Sequence, residues 1–470
     1  MGLRRDVRRD SLVEGAGQGG EPCPFSFSPA GPAGAFVRIR VRSALQWLAD
    51  TRLARRLVET LFRSKARLRM VELDHQSVAR CQNRTLLGLV HKAHTTRFGK
   101  DHDLCRIRNA SDFRRLVPLR TPAELWREYW QPAYPKLEGA TWPGPIPYLA
   151  VSASEQSGAF PYIPVSPALW AAQQAAALTA LAFVMHARPR ARLCEGRLCF
   201  LGSGTQLSKL GAGPSESLEA VAIRQLPEAF RPLALSQTCE HSEDTENSAL
   251  AELAGRSIRT PVTCIAGTGG QLRRFFADAK RLTGARRIVD VWPSLAAVLC
   301  ARSAGDFDRR ALVADIGSSA VLLQELYIRQ EGAIAIEDPR LRALRLLPDQ
   351  GVYFEFVPAD QVGKARPARC SAAEVRLDVP YALAISSPAG IWACLVGSVV
   401  QFERLRPPLL QLVETDVLWK QAQIAGPAAK VTKSSHAFPG GPPHPRTFGK
   451  EAAHPGKPFR IPLSARADRG

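Results

Sequence analysis

The segment from Pro143 to Val413 alternates short apolar runs with helical stretches, and this alternation constrains the fold more than any other feature of the sequence. Proline, glycine and aspartate punctuate the joins. The runs with the length and composition of β-strands are Tyr148 to Ser152, Leu198 to Leu201, Arg287 to Val291 and Gly351 to Val357. Strands that alternate with helices predict an α/β class, with a mixed or mainly parallel sheet flanked by helices.

Apolar residues at helical spacing predict a helical layer before these strands. Ser43 and Gln46 have the spacing of a capping box, so structure is expected to begin near residue 43. The first helical series is Leu45, Leu48, Leu53, Leu57, Leu61 and Phe62, and the second is Leu86, Leu87, Leu89 and Val90, which is expected to end near Phe98-Gly99. The longest apolar stretch, Ala168 to Val184, is rich in alanine and contains two glutamines, so it predicts a buried helix and no membrane span.

The two ends of the chain lack this periodicity. Residues 1–42 mix Gly, Pro, Ser and Arg and predict a disordered leader. Residues 416–470 contain eight prolines, nine Lys or Arg and only three acids, so 415–470 is predicted to be a basic, disordered tail. One large folded domain is therefore expected over residues 43–414.

The net charge of +20 raises the question of a nucleic-acid partner. The basic residues are scattered in ones and twos, as in Arg55-Arg56 and Arg309-Arg310, without interleaved aromatics, so solvated basic faces are favoured over a nucleic-acid interface.

The start of the chain has no apolar run typical of a secretory signal. Ten cysteines without a CxxC pair predict reduced thiols in the cytoplasm.

Three segments carry residues suited to phosphate chemistry. Ser152 to Val165 opens with a small-residue loop that follows a strand and precedes a helix, where backbone N–H groups can surround phosphates. Tyr327 to Ile336 contains Glu331-Gly332, whose carboxylate could hold Mg²⁺ or could simply be solvated in a turn. Ala389 to Phe402 is a strand-like run in which Gly397-Ser398 is expected to form a turn. Gly202 to Thr205 and Gly267 to Gly270 are interpreted as glycines of loops.

Together and in this order, the three segments resemble the GH3 family, the acyl-acid amido synthetases first named as auxin-responsive proteins. The resemblance covers roughly residues 80–413. It includes the segments His94 to Gly99, Asp112 to Leu119, Val289 to Pro293, Leu346 to Asp349, Tyr353 to Pro358 and Gly390 to Trp392. It implies the large N-terminal domain of the adenylate-forming fold.

The resemblance also implies a two-step ligase reaction. A small-molecule carboxylic acid attacks the α-phosphate of ATP, with Mg²⁺ assisting, to give an acyl-adenylate and pyrophosphate. The amine of an amino acid then attacks the activated carbonyl and forms an amide. The phosphate cradle, the carboxylate that binds the metal and the group that binds the ribose are the parts that this sequence can be compared with.

The comparison gives a set of implied site residues with several departures. In the cradle, Ser152, Ser157 and Gly158 match, whereas Ser154, Glu155 and Gln156 replace Gly and two Thr, and Pro161 replaces a Lys. In the second segment Tyr327 and Glu331-Gly332 match, Gln330 replaces a hydroxyl residue, and Glu331 is implied as the Mg²⁺ ligand. Ser398 stands where the family has the Asp that binds the ribose hydroxyls, a change that weakens such binding by roughly 1–3 kcal/mol.

Three functional hypotheses follow from these residues. The first is an ATP-dependent acid–amido synthetase that tolerates its substitutions, and the retained Glu331 favours it. The second is a GH3 homologue that is catalytically silent and binds an acyl acid or nucleotide only. Glu155, Pro161, Ser398 and the Pro-rich tail in place of the family's C-terminal lid domain favour this second hypothesis. The third is a nucleic-acid-binding role based on the net charge, which a steep salt dependence of binding would be needed to support.

Overall fold

The computed structural model describes residues 52–151, 162–202, 206–210, 216–217, 231–236, 243–302 and 308–413. The chain divides into two units, Met1–Arg55 and Arg56–Gly470. Within the first unit, the described residues are 52–55, which open a helix. The predicted boundaries of the leader at 42/43 and of the tail at 414/415 lie outside the described residues.

Helices occupy most of the described chain before residue 140 and recur between the strands after it. They are α1 (Arg52–His75), α2 (Val78–Ala93), α3 (Arg97–Asp101), α4 (Ala110–Leu116), α5 (Pro122–Leu125), α6 (Gln131–Ala133), α7 (Pro167–Ala187), α8 (Glu243–Ser257), α9 (Gly269–Thr283), α10 (Ile288–Val291) and α11 (Arg309–Ile316). A π-helical turn, Trp126–Trp130, joins α5 to α6.

The strands form two sheets. They are β1 (Tyr148–Val151), β2 (Tyr162–Val165), β3 (Arg197–Phe200), β4 (Gln206–Lys209), β5 (Glu216–Ser217), β6 (Ala234–Ser236), β7 (Val262–Thr268), β8 (Ala297–Ala301), β9 (Leu322–Arg329), β10 (Gly332–Asp338), β11 (Ala343–Leu346), β12 (Tyr353–Pro358), β13 (Pro380–Ser387), β14 (Ile391–Leu405) and β15 (Pro408–Val413).

The larger sheet is mixed, with the order β12-β13-β14-β15-β11-β10-β9-β8-β7-β3-β6. From β6 to β9 every neighbouring pair is parallel, and from β9 to β12 every neighbouring pair is antiparallel. Strand β9 is therefore the point at which the pairing changes. The smaller sheet is antiparallel, with the order β2-β1-β4-β5. The predicted α/β class with a mixed sheet flanked by helices is confirmed.

Helices cover both faces of the parallel half of the large sheet. Successive side chains of β8 show this, because they belong alternately to two hydrophobic clusters. Ala297 and Leu299 belong to the hydrophobic cluster that includes residues of α1 and α7, whereas Val298 and Cys300 belong to the cluster formed with α8, α9 and α11. Successive side chains of a strand point to opposite faces, so one apolar run can serve both clusters. A third and larger cluster joins α2, α4 and the antiparallel half.

The apolar stretch predicted as a buried helix forms α7. Ser166 caps it by accepting a hydrogen bond from Leu169 N at 3.0 Å, and Pro167 occupies its first position, where a missing N–H costs nothing. In the described part of the chain, α7 is the one helix long and apolar enough to cross a membrane by length and composition, and half of that stretch is buried inside the protein.

Two expectations for the helices near the N-terminal side need correction. The second helix ends at Ala93 instead of Phe98-Gly99, because the Thr96 side chain accepts from Gly99 N at 3.0 Å and so starts α3 as a separate helix. In the first helix, Leu57 and Leu61 lie on the exposed face and not on the buried face. These residues are 61% and 57% exposed, and α1 instead packs through Phe62, Ala66, Met70 and Leu73.

Two other segments differ from their sequence interpretation. Arg287 to Val291 was expected as a strand, but Ile288–Val291 is the short helix α10, with Asp290 in its first turn bonded to the Arg287 guanidinium at 2.7 and 2.9 Å. Gly267 to Gly270 is not a loop, since β7 runs directly into α9. The Thr268 hydroxyl accepts a hydrogen bond from Gln271 N at 3.4 Å, and Gln271 Oε1 accepts one from Thr268 N at 3.1 Å, so a capping box forms the junction.

Candidate functional site

The candidate site lies at the carboxyl edge of the parallel half of the large sheet. Strands β3, β7, β8 and β9 run parallel and end at Phe200, Thr268, Ala301 and Arg329. In open α/β sheets, ligands bind in the crevice outside the carboxyl ends of the parallel strands. The second predicted segment, Tyr327 to Ile336, begins at this edge.

A tight hairpin turn positions the charged residues of the second segment. Arg329 pairs with Gly332 across β9 and β10, so only Gln330 and Glu331 form the turn. A side chain at Gly332 would bring its Cβ to 2.6 Å from Val352 Cγ2, which accounts for the glycine. From α7, Gln173 Nε2 donates to the carbonyl oxygens of Arg329 and Gln330, at 3.2 and 3.1 Å.

Glu331 is buried and ion-paired with Arg329. The Glu331 side chain is 3% exposed, and its two carboxylate oxygens lie 3.3 Å from Nε and 3.4 Å from Nη2 of Arg329. Burial opposes the charge on the guanidinium, but the neighbouring Glu331 carboxylate keeps the pKa of Arg329 above its ordinary value. The interpretation of Glu331 as a solvated residue in a turn is therefore wrong.

The third segment meets the second through Ser398 and Tyr327. Burial raises the pKa of the Tyr327 phenol, and the Ser398 hydroxyl is close enough to oppose that rise in part. The phenol oxygen approaches Ser398 without the geometry of a full hydrogen bond. Because β10, β11 and β15 separate β9 from β14 in the sheet, the antiparallel half must curve to bring these two residues together.

Gly397-Ser398 does not form the turn expected from the sequence. Strand β14 continues through both residues from Ile391 to Leu405. Leu395 pairs with Ala384 and Val399 pairs with Ala382, so three residues of β14 lie opposite one residue of β13. This bulge, with Gly397 at a φ of 75°, turns the half-buried Ser398 out of the regular register.

Residues of α5 and β14 form another wall of the site. The Cys394 thiol is 1% exposed, and its pKa is raised well above the usual value by burial and by the nearby negative charges of Glu331 and Glu124. Glu124 belongs to α5, where it completes the capping box of Thr121. The electrostatic neighbourhood of Cys394 thus includes the hairpin turn and α5.

The first segment contributes Ser152, Ser157 and Gly158, and all three lie outside the described residues, as do Glu155 and Pro161. Its flanks are described. Val151 pairs with Tyr162 in antiparallel strands, so the segment connects β1 to β2, and α7 begins only after β2. The Tyr162 ring lies 5.9 Å from that of Trp126, two residues after Glu124, which brings this flank close to the wall described above.

The arrangement at Glu331 does not fit a directly bound Mg²⁺ while Arg329 is in place. Both carboxylate oxygens face the guanidinium, and Mg²⁺ needs oxygen ligands at about 2.0–2.1 Å in octahedral geometry. Across the described ranges there is no group of three or more His, Cys, Asp or Glu residues that could hold a metal ion. In the described structure, the cation that pairs with Glu331 is the guanidinium of Arg329.

The chain is similar to known proteins in sequence and in structure. A model of the GH3 family N-terminal domain matches residues 67–211, and a model of the GH3 family central domain matches residues 345–414. Two domains of one family thus match in chain order, on the fold described above. The chain belongs to the GH3 family.

Solved structures support the fold of this GH3 protein. AtGH3.15 acyl acid amido synthetase in complex with 2,4-DB is 13% identical, with a TM-score of 0.60 over 75% of this chain and 70% of that chain. A second structure, GH3.15 acyl acid amido synthetase, is 14% identical, with a TM-score of 0.57 over 75% of this chain and 71% of that chain. No curated protein matches the sequence.

Within the GH3 chain, the structure brings together part of the predicted site. Tyr327, Gln330, Glu331 and Ser398 are near one another at the carboxyl edge, and their predicted roles toward nucleotide and metal remain predictions. Sequence reasoning missed Arg329, although its spacing of two residues from Glu331 around a predicted turn was a usable signal. It also missed Cys394, which adjoins the Gly390 to Trp392 motif but carries no pattern of its own.

Proposed function

We propose that this GH3 protein is an acid-activating ligase that uses ATP to adenylate a small-molecule carboxylic acid and then transfers the acyl group to an amine. The observation that supports the proposal is the meeting of Tyr327, Glu331 and Ser398 at the carboxyl edge of the parallel strands. These residues come from two segments separated by about seventy residues of sequence, and they coincide with the positions that the family resemblance implies for nucleotide binding.

The residues support distinct roles in this reaction. Tyr327 is protonated at neutral pH, as an ordinary phenol is, and burial raises its pKa further, so it can donate a hydrogen bond to a nucleotide oxygen. Ser398 offers a neutral acceptor for a ribose hydroxyl. The backbone N–H groups around Ser152, Ser157 and Gly158 would surround the phosphates. Glu331 as a Mg²⁺ ligand stays a prediction that conflicts with its pairing to Arg329.

The substrates are proposed by class. One structural neighbour is an acyl acid amido synthetase in complex with 2,4-DB, which supports an acyl acid as the first substrate here. An amino acid as the second substrate follows from the family resemblance, as does ATP, and we place the reaction in the cytoplasm because the cysteines are predicted to be reduced.

A second candidate function is a GH3 homologue that binds an acyl acid or nucleotide without turnover. Two observations favour it. Arg329 covers the carboxylate that the family resemblance assigns to the metal. Ser398 also lacks the charge of the family's Asp, which weakens the hydrogen bonds available to the ribose.

Calorimetric titration of ATP into the full-length chain separates these functions, with Glu331→Ala as the site variant and Glu374→Gln as a control on an ion pair elsewhere on the protein. An affinity that changes several-fold or more in Glu331→Ala, in either direction, and is unchanged in Glu374→Gln supports a nucleotide site at Glu331. A pyrophosphate-release screen over carboxylic acids then tests turnover. ATP binding with no release for any acid favours the second candidate. No ATP binding by folded protein refutes the ligase and nucleotide binding, and leaves binding of an acyl acid alone.

A further inference from the structure

Arg329 and Glu331 share one rigid turn, which fixes their relative position independently of any ligand. Arg329 is the last residue of β9 and Glu331 is the second residue of the two-residue connection to β10, and Gln173 of α7 holds the backbone of Arg329 and Gln330 through two hydrogen bonds. Packing of Gly332 against Val352 removes further freedom. The guanidinium is therefore built into the site together with the carboxylate.

The Arg329 guanidinium has hydrogen-bond donors left after it pairs with Glu331. Its Nε and Nη2 face the carboxylate, at 3.3 and 3.4 Å. As far as the structure describes the chain, Nη1 of Arg329 donates no hydrogen bond, and the side chain is 26% exposed while Glu331 is 3% exposed. The outer edge of the guanidinium, formed by Nη1 and Nη2, can therefore reach a ligand from the carboxyl edge of the sheet.

The charge of this pair determines which ligand fits. After Glu331, the groups with the largest electrostatic effect on Arg329 are the Tyr327 phenol and the Cys394 thiol, which are uncharged at neutral pH and whose pKa values are both raised by burial. A bare Glu331 would repel a phosphate, but the paired Glu331 is neutralised, and the outer guanidinium edge matches two phosphate oxygens. A divalent cation bound to Glu331 would have to displace the guanidinium or lie close to it. Repulsion between these two positive charges opposes the second arrangement.

We infer that the outer edge of the Arg329 guanidinium donates hydrogen bonds to the phosphates of a nucleotide, so that the protein binds these phosphates without a divalent cation. This inference rests on the proposed function, because it assumes that a nucleotide enters at the carboxyl edge. It goes beyond that function in assigning a phosphate contact to Arg329. It also makes Glu331 a positioning residue that orients the guanidinium and does not touch the metal.

The test is a calorimetric titration of ATP into the full-length protein, once in excess EDTA and once in Mg²⁺. The wild-type chain is expected to bind ATP in EDTA with an affinity close to that in Mg²⁺. Arg329→Gln is expected to weaken binding in EDTA by roughly tenfold or more, and to recover in Mg²⁺ because Glu331 is then free to bind the ion. The control, Arg376→Gln, removes the same charge at an exposed position and is expected to bind as the wild type does in both buffers.

Glu331→Gln provides a second variant if Arg329→Gln fails to fold. The glutamine keeps a carbonyl oxygen that can orient Arg329 and removes the competing negative charge, so ATP binding in EDTA is expected to tighten several-fold. An unchanged affinity in EDTA would contradict a phosphate contact from Arg329. Wild-type binding that requires Mg²⁺ overturns the inference and leaves the proposed function intact. Absence of ATP binding in both buffers overturns the two together.

Discussion

Trp392 Nε1 donates a hydrogen bond to the carbonyl oxygen of Thr141 at 3.0 Å. The hydroxyl of the same threonine accepts from Trp130 Nε1 at 2.8 Å, so two buried tryptophans meet on one residue. Gly390, which precedes β14, lies against Thr141 and Trp142 with a φ of 75°. The start of the strand that carries Ser398 is thus fixed by an aromatic and hydrogen-bonded contact with the connection before β1.

Replacing Gly390 with alanine is expected to destabilise the fold by roughly 2–4 kcal/mol. A Cβ at this position meets the Thr141 side chain and would adopt a backbone conformation that side chains rarely occupy. The measurement is the free energy of unfolding from urea denaturation. Gly88→Ala is the matched control, since it lies inside α2 with nothing within 4 Å of its Cβ, and it should stabilise the protein by roughly 0.5–1 kcal/mol. Equal effects of the two substitutions would contradict the packing described here.

His102 is expected to make stability depend on pH. Burial and the charge of Arg120 lower its pKa from 6.5, with Asp101 and Glu128 opposing in part, while Arg120 Nη2 and the Tyr129 hydroxyl lie 3.1 and 3.3 Å from Nε2. The unfolded chain therefore binds the proton more readily. The stabilising contribution is fully present above about pH 6.5 and is lost as the pH falls through the lower folded-state pKa.

The change that tests this dependence is His102→Gln, which cannot titrate and retains an acceptor for Arg120. Urea midpoints at pH 8 and pH 5.5 should differ less in the variant than in the wild type. His186→Gln, an exposed histidine at the end of α7, should keep the wild-type difference. An unchanged pH response in His102→Gln would show that other groups account for it.

Ser398→Asp is expected to tighten nucleotide binding, because a carboxylate accepts hydrogen bonds from ribose hydroxyls more strongly than a hydroxyl does. A gain of about 1–2 kcal/mol corresponds to roughly five- to thirtyfold in Kd. Calorimetry with ATP measures it, and Ser398→Asn controls for side-chain size without charge. Weaker binding in Ser398→Asp than in Ser398→Asn would argue against a ribose contact at this bulge and would indicate repulsion from the phosphates.

The sequence predicts the architecture well where apolar runs have the length of strands. Tyr148 to Ser152, Leu198 to Leu201 and Gly351 to Val357 each coincide with a strand to within a residue or two. Arg287 to Val291 fails because a short apolar run has no periodicity that separates a strand from one buried turn of helix. The Asp290 carboxylate, bonded to Arg287 three residues earlier, is the local signal that favours the helix.

The candidate site was predictable in its residues but not in its contacts. Tyr327, Glu331 and Ser398 follow from the family resemblance, and the structure gathers them. That Gly397 marks a bulge and not a turn depends on pairing with β13, which no local pattern records. The partner of Glu331 depends equally on burial, since an exposed Glu beside an Arg would be solvated, whereas a carboxylate at 3% exposure needs a compensating charge.

Helix α7 gives the site a mechanical connection that the sheet alone does not provide. Its capping residue, Ser166, directly follows β2, the strand into which residues 152–161 lead, and Gln173 seven residues later holds the turn of Arg329 and Glu331. Seven residues make about two turns, or roughly 10 Å of rigid helix. Because the helix is rigid over this length, a shift of β2 would move the turn of Arg329 and Glu331 by a comparable distance. A hairpin transferred to another protein without α7 would lose the hydrogen bonds from Gln173 that hold this turn.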